Sequence, residues 1–347
     1  MDVVLELTDT FIADYVYAFA HPSRPAPHDL PHFSNVTEQT FSSWIYKPAS
    51  AYFSIQPSDY AYQSAWDRDN TYRQAVTLFA ITWVFGFALY FIFASLSYAF
   101  VFDKNTKTHP KYLKNQIWME IKQANASMPG MALLTTPFWL LEVNGYTKLY
   151  ETPAEGPGMW YEFFQFPFFL VFTDALIYLI HRGLHHPRVY KHLHKPHHKW
   201  IMPTPYASHA FHPVDGFAQS FPYHLFPMLF PLNKYASVAL FVFVNFWTIM
   251  IHDGEYVANS PIINGAACHT MHHLYFNYNY GQYTTLWDRL GSSYRKPDDD
   301  LFQKEKKMSE EQWESQVKEM EKIVEEVEGE DDRNYDPVDA AEIKKNK

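Results

Sequence analysis

The chain is predicted to be all-α: a polytopic membrane helical bundle of about four spans, two of them a helical hairpin, with a cytosolic histidine-rich helical cap. Three observations predict it. Residues 75–102 run for 28 residues without a charged side chain, and about 20 apolar residues suffice to cross a bilayer. Histidines recur in three boxes, His181/His185 (H-x-x-x-H), His194/His197/His198 and His269/His272/His273 (both H-x-x-H-H), at the i, i+3 and i+4 separations that share a helix face. Charge is segregated: of the formal −10, residues 296–347 hold 18 acidic against 10 basic side chains, or −8.

Residues 1–74 read as an N-terminal region that is lumenal or interfacial. Their start, MDVVLELTDTFIADYVYAF, is apolar but carries acids and lacks the basic opening of a signal peptide, so an interfacial helix is expected. Asn35-Val36-Thr37 is a glycosylation sequon that fits a lumenal N-terminus; Asn125-Ala126-Ser127 is another.

Residues 75–295 read as the membrane-embedded domain, with 75–102 as its first span. Lys104, Lys107, Lys111, Lys114 and Lys122 follow and mark the cytosolic side. Tyr112, Ile117, Trp118 and Ile121 among them suggest a helix lying in the interface. Residues 127–141 are apolar but short, and Pro129 and Pro137 interrupt them, so flanking residues must complete this span. Glu142, Glu151 and Glu155 against Lys148 make the next loop lumenal. Residues 160–180 form the third span and lead directly into His181. Asp174 lies inside it, where a carboxylate is costly and faces a bundle interior. It shares a rough helix face with His181 and is a candidate acceptor for a ligand N–H. Beyond the second box, Pro203, Pro205 and Pro213 forbid one continuous helix. His209, His212 and His224 in this stretch read as hydrogen-bonders, and His209 and His212 are also candidates to support the ligands. Residues 223–232 and 235–251 form the hairpin, turning at Asn233-Lys234. It returns His252 and the third box to the side of the first two.

Residues 296–347 are a charged cytosolic tail. Ser309 and Gln312 make a capping box. Trp313, Val317, Met320, Val324 and Val327 then form one apolar seam on a charged helix, which is expected to dock on the protein's own cytosolic face. EGEDDRNYDP beyond it reads as disordered. Lys344 and Lys345 near the end resemble a dilysine retrieval signal of the endoplasmic reticulum.

Neutral imidazole is the commonest protein metal ligand, and each box is expected to aim its imidazoles at a common point. His181, His185, His194, His197, His198, His269, His272 and His273 are too many for one ion, since a catalytic zinc takes about three protein ligands. Two metals sharing a site are therefore expected. His252, in HDGEY at the end of the hairpin, is expected to be a ninth ligand. His185 is preferred to His186, because i+4 returns to the same helix face and i+5 does not. The single cysteine, Cys268, excludes an intrachain disulfide framework and fits a reducing environment; it reads as a packed small residue.

HRGLHHPRVYKHLHKPHHKW, PTPYASHAFHPVDGFAQSFPYH, HDGEY and CHTMHHLYFNYNYGQYTTLWDRLGSSYR together closely resemble the fungal sterol C-5 desaturases. These belong to the fatty acid hydroxylase/sterol desaturase superfamily of membrane di-iron enzymes, and the likeness spans residues 72–295. The resemblance implies two iron ions held by the eight box histidines, in a multi-pass protein of the endoplasmic-reticulum membrane. It implies insertion of the C5–C6 double bond into a Δ7-sterol such as episterol, in ergosterol biosynthesis, with O2 as oxidant. It implies electrons from cytochrome b5 and its NAD(P)H-dependent reductase, contact with membrane lipid, and no nucleic-acid partner. The chemistry agrees. An unactivated ring C–H is not acidic enough for a side-chain base, and its removal as a hydrogen atom needs a metal that changes redox state, as iron does and zinc does not. A relative with the same boxes, a sterol C-4 methyl oxidase or lipid hydroxylase, is the alternative.

Overall fold

Helices carry most of the chain, as its long apolar segments require. Asp2–Thr8 (α1) and Asp14–Ala20 (α2) are joined by a π-turn at Asp9–Ala13. Then come Thr71–Phe100 (α3), Gln116–Val143 (α4), Met159–Leu184 (α5), Pro187–Leu193 (α6), Lys195–His198 (α7), Pro213–Leu229 (α8) and Lys234–Met250 (α9). Ala266–Tyr275 (α10), Leu286–Leu290 (α11), Lys304–Lys307 (α12) and Glu310–Val327 (α13) complete the order. The computed structural model describes residues 1–23, 44–256, 259–307 and 309–335. The expected sequon at Asn35 and retrieval signal at Lys344 and Lys345 lie outside the described residues.

The helices α3 and α5 are long and apolar enough to cross a membrane, close to the first and third expected spans. The expected short span at 127–141 is instead part of α4, which continues through Pro129 and Pro137. Each proline removes one helical hydrogen bond without ending a helix that tertiary packing holds. No separate interfacial helix occupies 103–122: Lys104–Thr108 is a short 3₁₀ turn, and residues 116–122 are the first turns of α4. The hairpin's first arm, α8, begins at Pro213, ten residues before the expected start. Proline at the first helical position has no N–H to lose there and starts a helix readily. Between the arms, Leu232–Asn233 (β2) pairs in parallel with Leu149–Tyr150 (β1), a contact that no periodicity announced.

Two compact units are present. The first comprises Met1–Phe85, Ala132–Glu162 and Pro227–Val238. Its N-terminal helices are held by charge. Arg68 and Arg73 clamp Asp14, and Arg73 also binds Asp9. Glu151 accepts from Ser50 and Tyr235 and pairs with Lys234.

The second unit comprises Gly86–Met131, Phe163–Phe226 and Ala239–Lys347. One core packs Tyr90, Ala124 and Met128 against Trp200, Ala207 and Ile249. Another packs Tyr190, Ile201 and Met202 against Met271, Leu274 and Phe276. Helix α4 crosses the start of α8 closely, since a Cβ on Gly130 would lie 2.7 Å from the Pro213 Cβ. Ser309 caps α13 by accepting from the Gln312 N–H, as its spacing predicts. The α13 seam docks on the chain itself: Met320 and Val324 enter the second core, and Trp313 is buried. Glu328 to Tyr335, expected to be disordered, is docked too. Arg333 is buried, pairs with Glu328 at 2.8 Å, and donates to the carbonyls of His198 (2.9 Å) and Lys199 (3.2 Å). A cation placed against free carbonyls and a buried carboxylate outweighs the disorder that the composition suggests.

Candidate metal centre

Nine imidazoles meet inside the second unit in two groups. His181, His185, His194, His198 and His272 form one; His197, His252, His269 and His273 form the other. Within each group the offered ring nitrogens lie within 4.8 Å of one another. Helix α5 brings His181 at its last turn, and His185 follows where its N–H continues the turn to the His181 carbonyl. His194 stands at the junction of α6 and α7, and His197 and His198 lie on α7. His252 follows α9, and α10 carries the third box. All nine histidines expected as ligands are therefore brought together.

The boxes do not each aim at one point, which corrects the expectation. An α-helix turns about 100° per residue, so residues i and i+4 diverge by about 40° while i+3 lies about 100° from i+4. In the second box His194 and His198 join the group of five and His197 the group of four. In the third, His269 and His273 join the group of four and His272 the group of five. The H-x-x-H-H spacing thus supplies both groups at once, and the groups adjoin, with the His198 and His273 rings 4.9 Å apart.

Backbone and carboxylate acceptors fix the tautomers. Nδ1–H of His181 donates to the Tyr280 carbonyl at 2.9 Å, that of His272 to Tyr278 at 2.7 Å, and that of His252 to Thr248 at 2.6 Å. Nδ1–H of His194 donates to the Asp215 carboxylate at 2.8 Å. With the proton on Nδ1, each Nε2 lone pair faces its group. Nε2 atoms then meet at 3.1 Å (His181, His194), 2.9 Å (His198, His272), 3.0 Å (His252, His269) and 3.2 Å (His269, His273). In the His181–His194 pair both protons sit on Nδ1, and lone pairs this close repel unless a cation lies between them. Imidazole nitrogens about 2.0–2.1 Å from one metal ion stand about 3.0–3.4 Å from their neighbours, which fits these separations. The buried His185 Nε2 likewise has no protein partner among the described residues.

Burial, reinforced by neighbouring imidazoles, holds His185, His197, His198, His269, His272 and His273 well below the ordinary histidine range. Burial lowers His252 to about 4 against the opposing pull of the Thr248 carbonyl. These rings are neutral near pH 7, the form that binds metal. Phe211 stacks on His197 with ring centroids 4.3 Å apart, and Phe276 stacks on His198 at 5.0 Å. These rings wall the centre with apolar surface.

The remaining candidates fall elsewhere. His186 is exposed and caps α6 by accepting from the Arg188 N–H. Cys268 is buried and belongs to neither group. Asp174 accepts no imidazole N–H among the described residues. Its carboxylate receives the N–H groups of Gln282 (2.9 Å), Tyr283 (2.8 Å) and Thr284 (3.1 Å) and the Thr284 hydroxyl (2.6 Å). It thereby holds the loop whose Tyr280 carbonyl receives His181. His209 bonds Asn245 and Ser208, and His212 caps α8 by accepting from Val214. The carboxylate that does support a ligand, Asp215, was missed. It is fully buried and held by Gln219 at 2.8 Å. Its signal was the lone acid in HPVDG, close in sequence to three boxed histidines that lacked a carboxylate partner.

The fold and site define a helical membrane protein with a buried histidine cluster suited to metal. The fatty acid hydroxylase family model matches residues 166–293. A probable Δ(7)-sterol 5(6)-desaturase of Neurospora crassa is 69% identical over 99% of this chain and 100% of its own length. Δ(7)-sterol 5(6)-desaturases of Leptosphaeria maculans and Eremothecium gossypii are 60% and 51% identical, covering 96% and 97% of this chain and 97% and 100% of their own lengths. No solved structure matches. The chain belongs to the Δ(7)-sterol 5(6)-desaturases, within the fatty acid hydroxylase family.

Proposed function

We propose that this chain desaturates a Δ7-sterol such as episterol between C5 and C6, using O2, in the endoplasmic-reticulum membrane. The observation that carries the reading is the pairing of Nε2 atoms at 2.9–3.2 Å in two adjoining imidazole groups. One iron ion is held by His181, His185, His194, His198 and His272, the other by His197, His252, His269 and His273. Bound iron supplies the redox chemistry with O2 that an imidazole cannot. The chain does the rest. Asp215 and the carbonyls of Tyr278, Tyr280 and Thr248 keep each proton on Nδ1, and Phe211 and Phe276 exclude water from the ligands. The balance is closed: O2 takes four electrons and four protons to give two waters. The two C–H bonds supply two of each, cytochrome b5 and its reductase supply two electrons, and solvent supplies two protons.

Helices α3 and α5 and the arms α8 and α9 are proposed to lie in the bilayer, with α4 completing the set. Large apolar side chains on α3 and α5 support this: Val84 is 64%, Phe100 82%, Phe163 76% and Leu179 61% exposed. The lysines after α3 support a cytosolic histidine face and C-terminus. The test is a membrane preparation of the expressed chain given a Δ7-sterol under air or argon, with products resolved by mass spectrometry and metal measured on the purified protein. A ring diene formed only under air, with iron in the protein, is expected. An oxygenated sterol would assign the C-4 methyl oxidase or hydroxylase chemistry of the same family, and oxygen-independent product would end the reading.

A further inference from the structure

We infer that the groove lined by Lys114, Trp118, Lys191, Lys195, Lys199 and Arg333 is where an acidic one-electron carrier protein docks to reduce the metal centre, an inference that rests on the desaturase reading above. The groove has a volume of about 610 Å³ and is formed by residues 113–119, the segment 191–199 and Asp332, Arg333 and Asn334. Three observations favour this occupant.

The first is the burial of the ligands. His194, His198, His272 and His273 are fully buried and His197 is 2% exposed, so an electron reaching them must cross the protein; of the nine, His185 alone is half-buried. The third box offers no surface, since α10 is buried from Ala267 to Tyr275. The second box does. Lys195 and Lys199, which line the groove, flank His197 and His198, and Arg333 donates to the carbonyls of His198 and Lys199. The groove wall therefore includes the chain neighbours of His197 and His198, and Arg333 links it to the His198 backbone.

The second is charge. Lys114, Lys191 and Lys199 have no carboxylate within ion-pair reach among the described residues, whereas Lys195 is paired with Glu328 and Asp332. The three unpaired lysines make the groove cationic and steer an acidic partner to this face. The third is Trp118, 67% exposed on the groove wall, an aromatic of the type that anchors interface centres. A lipid headgroup would use the cations but has no need of their link to the ligand-bearing segment. The stoichiometry asks for two dockings per turnover, each delivering one electron.

The test uses the full chain in phosphatidylcholine nanodiscs, with the reduced soluble haem domain of cytochrome b5 as donor. Wild type is compared with the Lys114→Glu/Lys191→Glu double variant. Donor-driven kcat/KM is expected to fall by about tenfold at low salt, with the gap closing as salt screens the contact, while the single-turnover diene yield of protein reduced anaerobically with stoichiometric dithionite and then mixed with O2 stays at the wild-type level. Lys114→Gln/Lys191→Gln and Trp118→Ala, which disturb folding less, should show smaller falls in the donor arm alone. Unchanged donor kinetics would overturn the inference, and so would an equal loss with dithionite. A defect that appears only when anionic lipid is added would assign the groove to headgroups instead. Wild-type protein that forms no diene with either reductant under O2 would remove the desaturase reading and this inference with it; every other failure removes the inference alone.

Discussion

In the first unit, Asp9, Asp14, Arg68 and Arg73 are as buried as the histidines of the second, at 3%, 0%, 6% and 1% exposure. Their bonds join opposites. Arg68 reaches Asp14 at 2.6 and 3.0 Å, and Arg73 reaches Asp14 at 2.7 Å and Asp9 at 2.8 Å. Burial raises the Asp14 carboxyl, but hydrogen bonds from Arg68 and Ser58 outweigh it and hold the group below its usual range. The histidine groups join likes: imidazole nitrogen faces imidazole nitrogen across 2.9–3.2 Å, and between His181 and His194 lone pair faces lone pair. Burial of polar groups therefore does not by itself mark a functional centre. A cluster that joins opposite charges is balanced as it stands, while one whose acceptors face each other is suited to a cation.

The largest expected effect strikes the second kind. His197→Ala should bring diene formation to background and lower bound iron, while the protein remains in the membrane fraction. One imidazole out of four is lost there, and no span contains it. Wild-type turnover in this variant would break the contrast at its root. Arg73→Met strikes the first kind. It leaves Asp9 and Asp14 with less compensation, and breaking a buried pair costs about 3–5 kcal/mol. The expected result is a clearly lower unfolding temperature in detergent with unchanged iron per folded molecule. Iron loss without unfolding would mean the charged cluster also serves the centre. Asp215→Asn lies between the two kinds, because Asp215 is a satisfied acceptor that acts through His194. Loss of its charge should lower activity or iron affinity by about 10–100-fold, with the unfolding temperature little changed. An unchanged iron affinity and rate would show that the carbonyls of Tyr278, Tyr280 and Thr248 suffice.

The same contrast explains what the sequence made legible. Helices α3 and α5 and the eight box histidines could be read because each rests on local spacing, charge-free length or i+3 and i+4 recurrence, whereas His252 was legible only from the return of the hairpin. The i+4 rule also separated His185 from His186. The division of each box between two groups was available from helical geometry, since His197 and His198 point about 100° apart, but a common target was assumed. Asp174 was read as a ligand support because it shares a helix face with His181. Its partners, Gln282 to Thr284, lie more than a hundred residues on, and no spacing rule reaches them. Asp215, the Tyr278 and Tyr280 carbonyls and the docking of Arg333 escaped for the same reason. Each depends on two segments meeting in space, and backbone acceptors leave no trace in side-chain identity.

The smallest expected effect concerns a third polar arrangement, a single local bond that is neither a buried ion pair nor a convergent cluster. Ser309 accepts from the Gln312 N–H at 3.3 Å and caps α13, and its replacement by alanine should cost about 1 kcal/mol. The cap lies just before Trp313, which packs edge-on to His109 with ring centroids 5.4 Å apart, so the first turn of α13 should fray before the rest. Farther along, Met320 and Val324 enter the core that also holds Phe276, the ring stacked on His198. A Ser309→Ala protein with slightly earlier thermal unfolding but normal iron and turnover would show that α13 stabilises the second unit without tuning its metal centre. A fall in turnover at full iron content would instead show that the packing of α13 reaches His198 through Phe276, making the C-terminal helix part of the machinery that positions the ligands.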